Sequence, residues 1–281
     1  MPYRKLKPWG IQKPPLGSIS DSNDTINSGL LGRWIMNEMG SGKVYDVSGF
    51  SNTGLFTGSP LPSWGTGLFG SAVSFNGSST EIVCGSSGGF SPTPTAISIS
   101  AWAKGTAFTN AYNAVAGSQG TGYFLILVKS TGKLAPYVRT GVAIDYDGTG
   151  KYTLSTNVWY HLVLTYDSVT GLICYVNANV DGTVAANGNL IAAASNFGIG
   201  YNPPTTTRIW TGLIDNVGIW SRALTSNEVQ RLFVQPFAGI VYPRTERLMQ
   251  SPPVAVSTTT GIASQVVFPY VNVKNRMVAY S

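Results

Sequence analysis

"GLIDNVGIWSRALTSNEVQRLF", residues 212–233, is the stretch on which the reading of this chain turns. Its first half is an apolar, strand-like run ending at Trp220. Its second half carries helix signals. Thr225 and Glu228 stand at the spacing of a capping box, Leu224 and Val229 can close a hydrophobic staple, and Val229, Leu232 and Phe233 form an apolar stripe, with Pro236 as the stop. Asp215 does not suit the strand that contains it, because an acid inside an apolar run needs a partner or a purpose.

Working outward, short apolar or alternating runs recur from Leu30 onward with Gly, Asn, Asp or Pro between them. They are "LLGRWIM", "SAVSFNG", "TEIVCG", "AISISAWAK", "YFLILVK", "LAPYVRT", "VWYHLVLTY", "LICYVNA", "FGIGY" and "GLIDNVGIW". Runs of this length and spacing predict an all-β, two-sheet antiparallel sandwich with one short helix. Composition agrees: 33 Gly and 14 Tyr with only 11% charged residues favour strands and tight turns. In "AISISAWAK", Ile97, Ile99 and Ala101 fall on one face and Ser98, Ser100 and Trp102 on the other, which predicts one buried side and one side open to solvent or a partner. "VWYHLVLTYDSVTGLICYVN" reads as a hairpin with Leu162, Leu164 and Tyr166 on a common face.

The ends differ from the middle. Prolines at 2, 8, 14 and 15 predict an extended basic arm over residues 1–29, and a second Pro-rich, basic arm with short strand-like pieces follows over residues 235–281. The formal charge of +6 sits mostly in these arms, so it does not describe a nucleic-acid-binding face. No apolar run is long enough to span a bilayer. The opening "MPYRKLKPWGIQKPP" breaks at proline before a leader's apolar core could form, so no cleaved leader is expected. Cys84 and Cys174 both lie in strand-like runs and read as buried free thiols.

Catalytic signals are weak. Among the 12 carboxylates, only Asp145 and Asp147 have the one-face spacing of a glycosidase pair, and "IDYDGTG" reads better as a hairpin tip. His161, the single histidine, sits in mid-strand with no nucleophile elbow in the chain. Tyr112, Tyr123, Tyr137, Tyr146 and Trp210 lie in or beside strands with polar neighbours and are candidates to stack on sugar rings. Core or turn packing is the competing reading.

The pieces "GLLGRWIMNEMGSGKVYDVSGFSNTG", "PSWGTGLFGSAVSFNGSSTEIV", "AISISAWAK", "WYHLVLTYDSVTGLICYVNANVDG" and "TGLIDNVGIWSRALTSNEVQRLF", in this order, resemble the concanavalin A-like lectin/glucanase superfamily in its LamG-like jelly-roll branch. The resemblance covers residues 30–234 and implies two curved antiparallel sheets with a concave face often used for ligands. The Glu-x-Asp strand of the glucanase branch is missing, so hydrolysis is not expected and the protein is read as no enzyme. The resemblance also implies one structural Ca2+ held by Asp215, with backbone carbonyls near Gly32 and Gly77. Asp46 with Asn52 is a second calcium candidate, against which stands the capacity of an Asp before Ser-Gly to cap its own loop. The flanks, "RKLKPWGIQKPPLGS" and "LFVQPFAGIVYPR", are similar to those of LamG-like proteins among bacteriophage structural genes. They imply a non-enzymatic virion protein, assembled in the host cytoplasm, for capsid decoration or association with the tail. It would be anchored by its arms to other virion subunits, with self-association as a further contact, and with neither nucleic acid nor membrane as partner. The alternative is a carbohydrate-binding adhesion module that recognises host-surface glycans.

Overall fold

The structure is a computed structural model that describes residues 12–85, 95–119, 124–141, 143–145 (backbone alone), 150–185, 188–191, 196–203 and 208–241. In chain order the strands are β1 (Ile19–Ser20), β2 (Leu30–Trp34), β3 (Lys43–Val44), β4 (Gly54–Thr57), β5 (Ser63–Thr66), β6 (Ser71–Asn76), β7 (Glu81–Cys84), β8 (Ala96–Ala107) and β9 (Tyr112–Ser118). They continue with β10 (Phe124–Lys129), β11 (Tyr137–Arg139), β12 (Ala143–Asp145), β13 (Tyr160–Asp167), β14 (Gly171–Val176), β15 (Asn179–Val184), β16 (Phe197–Ile199), β17 (Thr211–Trp220) and β18 (Ile240–Val241). One α-helix, α1 (Ser226–Val234), follows β17.

Two antiparallel sheets carry the fold. The first runs β15-β14-β13-β8-β17-β6-β5, with β2 also paired to β17, and the second runs β12-β11-β10-β9-β16-β7-β4-β3. Alternation along each strand sends one set of side chains between the sheets. Ile97, Ile99 and Ala101 of β8, Leu162, Leu164 and Tyr166 of β13, and Ile126 and Val128 of β10 meet there in a single buried cluster. Trp34 stacks on Phe197 across it, with ring centroids 5.2 Å apart. Cys84 and Cys174 are buried free thiols within it.

Each of the ten runs singled out by pattern contains a strand. The capping box also forms as read: Thr225 accepts from the Glu228 N–H, and the Thr225 N–H donates to the Glu228 carboxylate at 2.9 Å. Leu224 and Val229 meet in a second apolar cluster with Trp220 and Val163.

Two expectations need correction. The far face of β8 is not open: Ser98, Ser100 and Trp102 are all at most 5% exposed. Phe233 of α1 stacks on Trp102 at 5.7 Å, and Phe69 meets both Trp102 and Phe237 edge-on, so the helix and the segment after it cover this face. The arm boundaries also shift. Ile26 is fully buried, Asp24 forms a two-pronged ion pair with Arg231 of α1 at 2.5 and 2.7 Å, and Phe237, Ala238 and Ile240 are buried as well. Residues 18–29 and 235–241 therefore belong to the folded unit. They meet each other where β1 pairs with β18, Ile19 opposite Val241. By contacts the chain divides between Pro243 and Arg244, and the strand-like pieces expected beyond that point lie outside the described residues.

His161 is 1% exposed beneath this cover, its ring 5.2 Å from that of Trp102 and 6.1 Å from that of Phe233, centroid to centroid, with Nε2 2.8 Å from the Ser100 hydroxyl oxygen. Burial pulls its pKa down to about 3. Because the folded value lies below the ordinary one near 6.5, the stability tied to a neutral His161 is complete above pH 6.5 and is lost as pH falls toward 3. The full shift corresponds to roughly 5 kcal/mol as an upper bound. The single imidazole signal in an NMR titration is expected to stay neutral down to about pH 4 while the protein is folded, and His161→Gln should flatten the acid limb of the stability profile. An imidazole that titrates near pH 6.5 in the folded protein would refute this account.

Candidate functional site

Strand β17 changes partner in its middle. Thr211–Ile214 pair with β6 and Val217–Trp220 pair mostly with β2, so β2 and β6 lie end to end along one edge of β17. At the junction the register against β8 slips between Asp215 and Gly218, and Asn216 takes a left-handed φ of 44°. A bulge of this kind re-aims a side chain. Here it accompanies the burial of the Asp215 carboxylate, which is 0% exposed.

The ammonium of Lys13 fills the junction. Its Nζ donates to Asp215 Oδ1 at 2.5 Å, to the Met36 carbonyl at 2.9 Å and to the Ser71 carbonyl. The Ser71 hydroxyl also donates to the Met36 carbonyl, at 2.7 Å. Glu38 is close enough to act on both charges. Its Oε1 accepts from the Tyr45 N–H at 2.7 Å, whereas its Oε2, like Asp215 Oδ2, has no hydrogen-bond partner among the described residues. Burial pushes the Asp215 carboxyl up to about 6, with Lys13 opposing the shift, and burial pulls the Lys13 ammonium down, with Asp215 opposing that. Asp215 is therefore an anion at neutral pH with one neutralising neighbour in contact.

This arrangement does not fit the calcium that the resemblance implied. Ca2+ takes six to eight oxygens, and here one carboxylate oxygen and two carbonyls converge on an ammonium that already occupies the space. Among the described residues no group of three or more His, Cys, Asp and Glu side chains could hold a metal ion. Gly32 pairs with Ile219, and Gly77 lies past the pair of Asn76 with Thr211. Each is thus four or more residues from Asp215 along β17, on the order of 13 Å. The strands expected to supply carbonyls are near the acid, but the carbonyls that share Lys13 with it belong to Met36 and Ser71.

Asp46 is a loop cap. Its Oδ1 accepts from the Arg33 and Ser48 N–H groups and its Oδ2 from the Asn52 N–H, each at 2.9 Å, and Oδ2 also accepts from the Ser48 hydroxyl at 2.7 Å. The Asn52 side-chain amide donates to the Leu31 carbonyl at 2.9 Å and the Asn52 backbone carbonyl accepts from Trp34 Nε1 at 2.8 Å, so Asn52 is tied into the same loop.

The aromatic candidates separate. Trp210 is 1% exposed and belongs to the core between the sheets, so it cannot stack on an external ligand. Tyr123 and Tyr146 lie outside the described residues, as does Asp147. Tyr112 on β9 and Tyr137 on β11 are brought together on the outer face of the second sheet, edge to face with centroids 6.2 Å apart, over the small apolar cluster of Ala114, Leu125, Leu127 and Ala135. Arg208 stands 5.2 Å and Lys129 5.7 Å from the Tyr112 ring centre. Lys129 is directly opposite Tyr112 in the β9/β10 ladder, so register fixes this contact. Sequence reasoning found the tyrosines but missed the cations, and it missed Lys13, whose only sequence signal is a base within a Pro-rich stretch.

With sheets and site in place, comparison with known families becomes informative. The laminin-G-type family described as the concanavalin A-like lectin/glucanases superfamily matches residues 76–230, more than half of the chain. The chain belongs to this superfamily. A comparison with curated proteins returned no match. Among solved structures, the superfamily domain is similar to domain 4 of AbnA, a GH43 extracellular arabinanase from Geobacillus stearothermophilus, solved with arabinotriose; the TM-score is 0.59 at 22% identity, over 73% of this chain and 98% of that one. It is also similar to the binding domain of Paraclostridial Mosquitocidal Protein 1, with TM-score 0.61 at 17% identity over 76% of this chain and 53% of that one. A third is the binding domain of botulinum neurotoxin DC in complex with rat synaptotagmin II, with TM-score 0.59 at 11% identity over 75% and 52%. The chain thus spans about half the length of these toxin binding domains. These likenesses establish the fold.

If Asp46 is a cap and no metal ligand, Asp46→Ala strands the N–H groups of Arg33, Ser48 and Asn52. It should cost roughly 2 kcal/mol, a fall in Tm of about 5 °C. Thermal unfolding in EDTA and in millimolar Ca2+ is expected to give the same loss in both; a wild-type protein stabilised by Ca2+ through a contribution the variant lacks would reverse the assignment.

Proposed function

We propose that the chain is a non-catalytic recognition domain that holds saccharide on the outer face of its second sheet, at Tyr112 and Tyr137. The observation that carries this reading is the pairing of two half-buried tyrosine rings with Arg208 and Lys129 on one sheet face. Ring faces pack against the C–H faces of sugars, and the phenol oxygens supply polar contacts at the same place. Arg139 follows Tyr137 by two residues on β11 and so shares its face. Three cations around two tyrosines favour a glycan that carries carboxylate or phosphate groups. A similar fold solved with arabinotriose supports a saccharide as ligand. The buried ion pair at Asp215 supports the non-enzymatic reading, since a carboxylate held by an ammonium in the core reaches no substrate.

A second reading, compatible with the first, is a bacteriophage virion protein that displays this domain on the capsid or tail and is anchored to other subunits by its terminal segments. One observation favours it. The pairing of β1 with β18 sets Ile19 beside Val241, so the N- and C-terminal segments meet at one place on the domain. Residues 1–11 and 242–281, which precede and follow the described segments, between them account for the whole excess of positive charge.

Glycan-array binding tests the first reading. Wild type should bind acidic polysaccharides, and Tyr112→Ala and Tyr137→Ala should each weaken binding about tenfold in protein that still folds, in line with the roughly 1–1.5 kcal/mol of one stacked ring. Silence across acidic host-surface glycans would overturn it. For the second reading, a fragment of residues 12–241 should fold with the wild-type Tm yet fail to join particles when co-expressed with the other virion proteins; normal incorporation would rule out anchoring by the terminal segments.

A further inference from the structure

We propose that Lys13 is the resident cation of the β17 junction: a covalently tethered ammonium holds the place that a metal ion would otherwise take, and the N-terminal segment is thereby a plug on which the domain depends.

The donor count fits an ammonium. Three N–H groups of Nζ meet three oxygens, those of Asp215 in β17, Ser71 in β6 and Met36 just past β2. Part of the site is held by contacts other than those of Lys13. Met36 holds a left-handed φ of 55°, a conformation costly for a side chain of its kind, and its carbonyl is fixed by the Ser71 hydroxyl as well as by Lys13. The lysine stem passes the turn at Gly70, whose position for a Cβ lies 3.9 Å from Lys13 Cδ. The Lys13 side chain is 7% exposed and that of Asp215 0%, so water does not compete for either charge.

Emptying the junction would leave the Asp215 carboxylate without its cation and the Met36 and Ser71 carbonyls without the ammonium, next to Glu38, itself a buried acid with an unpartnered oxygen. Such an uncompensated buried charge is among the most costly features a fold can hold. The segment that delivers the ammonium has few other ties. Around it, the Asn37 amide donates to the Pro14 carbonyl, and the Ser18 N–H donates to the Pro15 carbonyl at 3.2 Å. Lys13 therefore joins positions 202 residues apart and ties the start of the described chain to its last long strand.

Thermal unfolding of the full chain in EDTA and in millimolar Ca2+ separates a tethered cation from a metal. Wild type should show the same Tm in both. Lys13→Met, which keeps the stem and removes the charge, should lower Tm by about 10 °C or prevent folding. The double variant Lys13→Met/Asp215→Asn, which removes both charges, should recover at least half of that loss, or restore folding. A rise in wild-type Tm with Ca2+, a Lys13→Met variant as stable as wild type, or a double variant no better than Lys13→Met would each overturn the proposal. Glycan binding at the distant tyrosine face plays no part in these readouts, so the two proposals stand or fall separately.

Discussion

The constraint around which the first sheet is arranged is that one strand serves two partners along the same edge. Strand β17 pairs with β6 and then mostly with β2, and the ends of those two strands cannot both continue the ladder through Asp215 and Asn216. Backbone groups at such a break must find other partners or bear the cost of burial. Side chains resolve it. Lys13 serves the carbonyls of Met36 and Ser71, while Asn216 turns its amide outward to donate to the Pro236 carbonyl at 2.6 Å. Next to the break, Arg33 of β2 is 1% exposed and donates to the carbonyls of Pro236 and Ala238 at 2.8 and 2.7 Å. Burial lowers its pKa to about 10, so it remains a cation at neutral pH. One buried cation thus binds the N-terminal segment to the core and another binds the core to the C-terminal segment.

Much of this architecture was legible from periodicity. Alternating runs located the strands that form the core, and the cap, staple and stripe of residues 224–233 located the helix, because each signal is local. Among the strands left unread, β4, β5, β9 and β15 are short or rich in Gly, Ala, Ser and Asn, and they are strands because neighbours pair with them more than because of their own propensity. Alternation in β8 assigned its two faces correctly but could not say that the second is covered, since the cover comes from Phe69 before the strand and from α1 more than a hundred positions after it.

The candidate sites divide in the same way. Asp46 was readable as a cap from "DVSG", a local pattern, and the structure bears out that alternative through four accepted hydrogen bonds. Asp215 was visible as an anomaly, but an acid in an apolar strand signals only that some cation is needed. Whether that cation is a metal or a lysine depends on a residue 202 positions away, and no spacing rule spans such a distance. Tyr137 and Trp210 differ for a related reason. Both lie in or beside strands with polar neighbours, yet Tyr137 alternates outward over Leu125 while Trp210 enters the core, and only the pairing of the strands decides which side is which.

Where a ligand can bind follows from how the first sheet is closed. Its inner face packs against the second sheet, and much of its outer face is occupied by α1 and by Phe69 and Phe237 around Trp102 and His161. Arg33 and Asn216 hold the chain just after the helix in place, so this covering is a consequence of the same junction that requires Lys13. The outer face of the second sheet has no helix over it among the described residues, and there Leu55 is 55% exposed and Tyr112, Lys129, Tyr137 and Arg139 are half-buried. A superfamily fold by itself does not say which surface it uses. In this chain the segments flanking the sandwich cover much of the outer face of one sheet, and among the described residues they leave the tyrosine face of the other without such a cover.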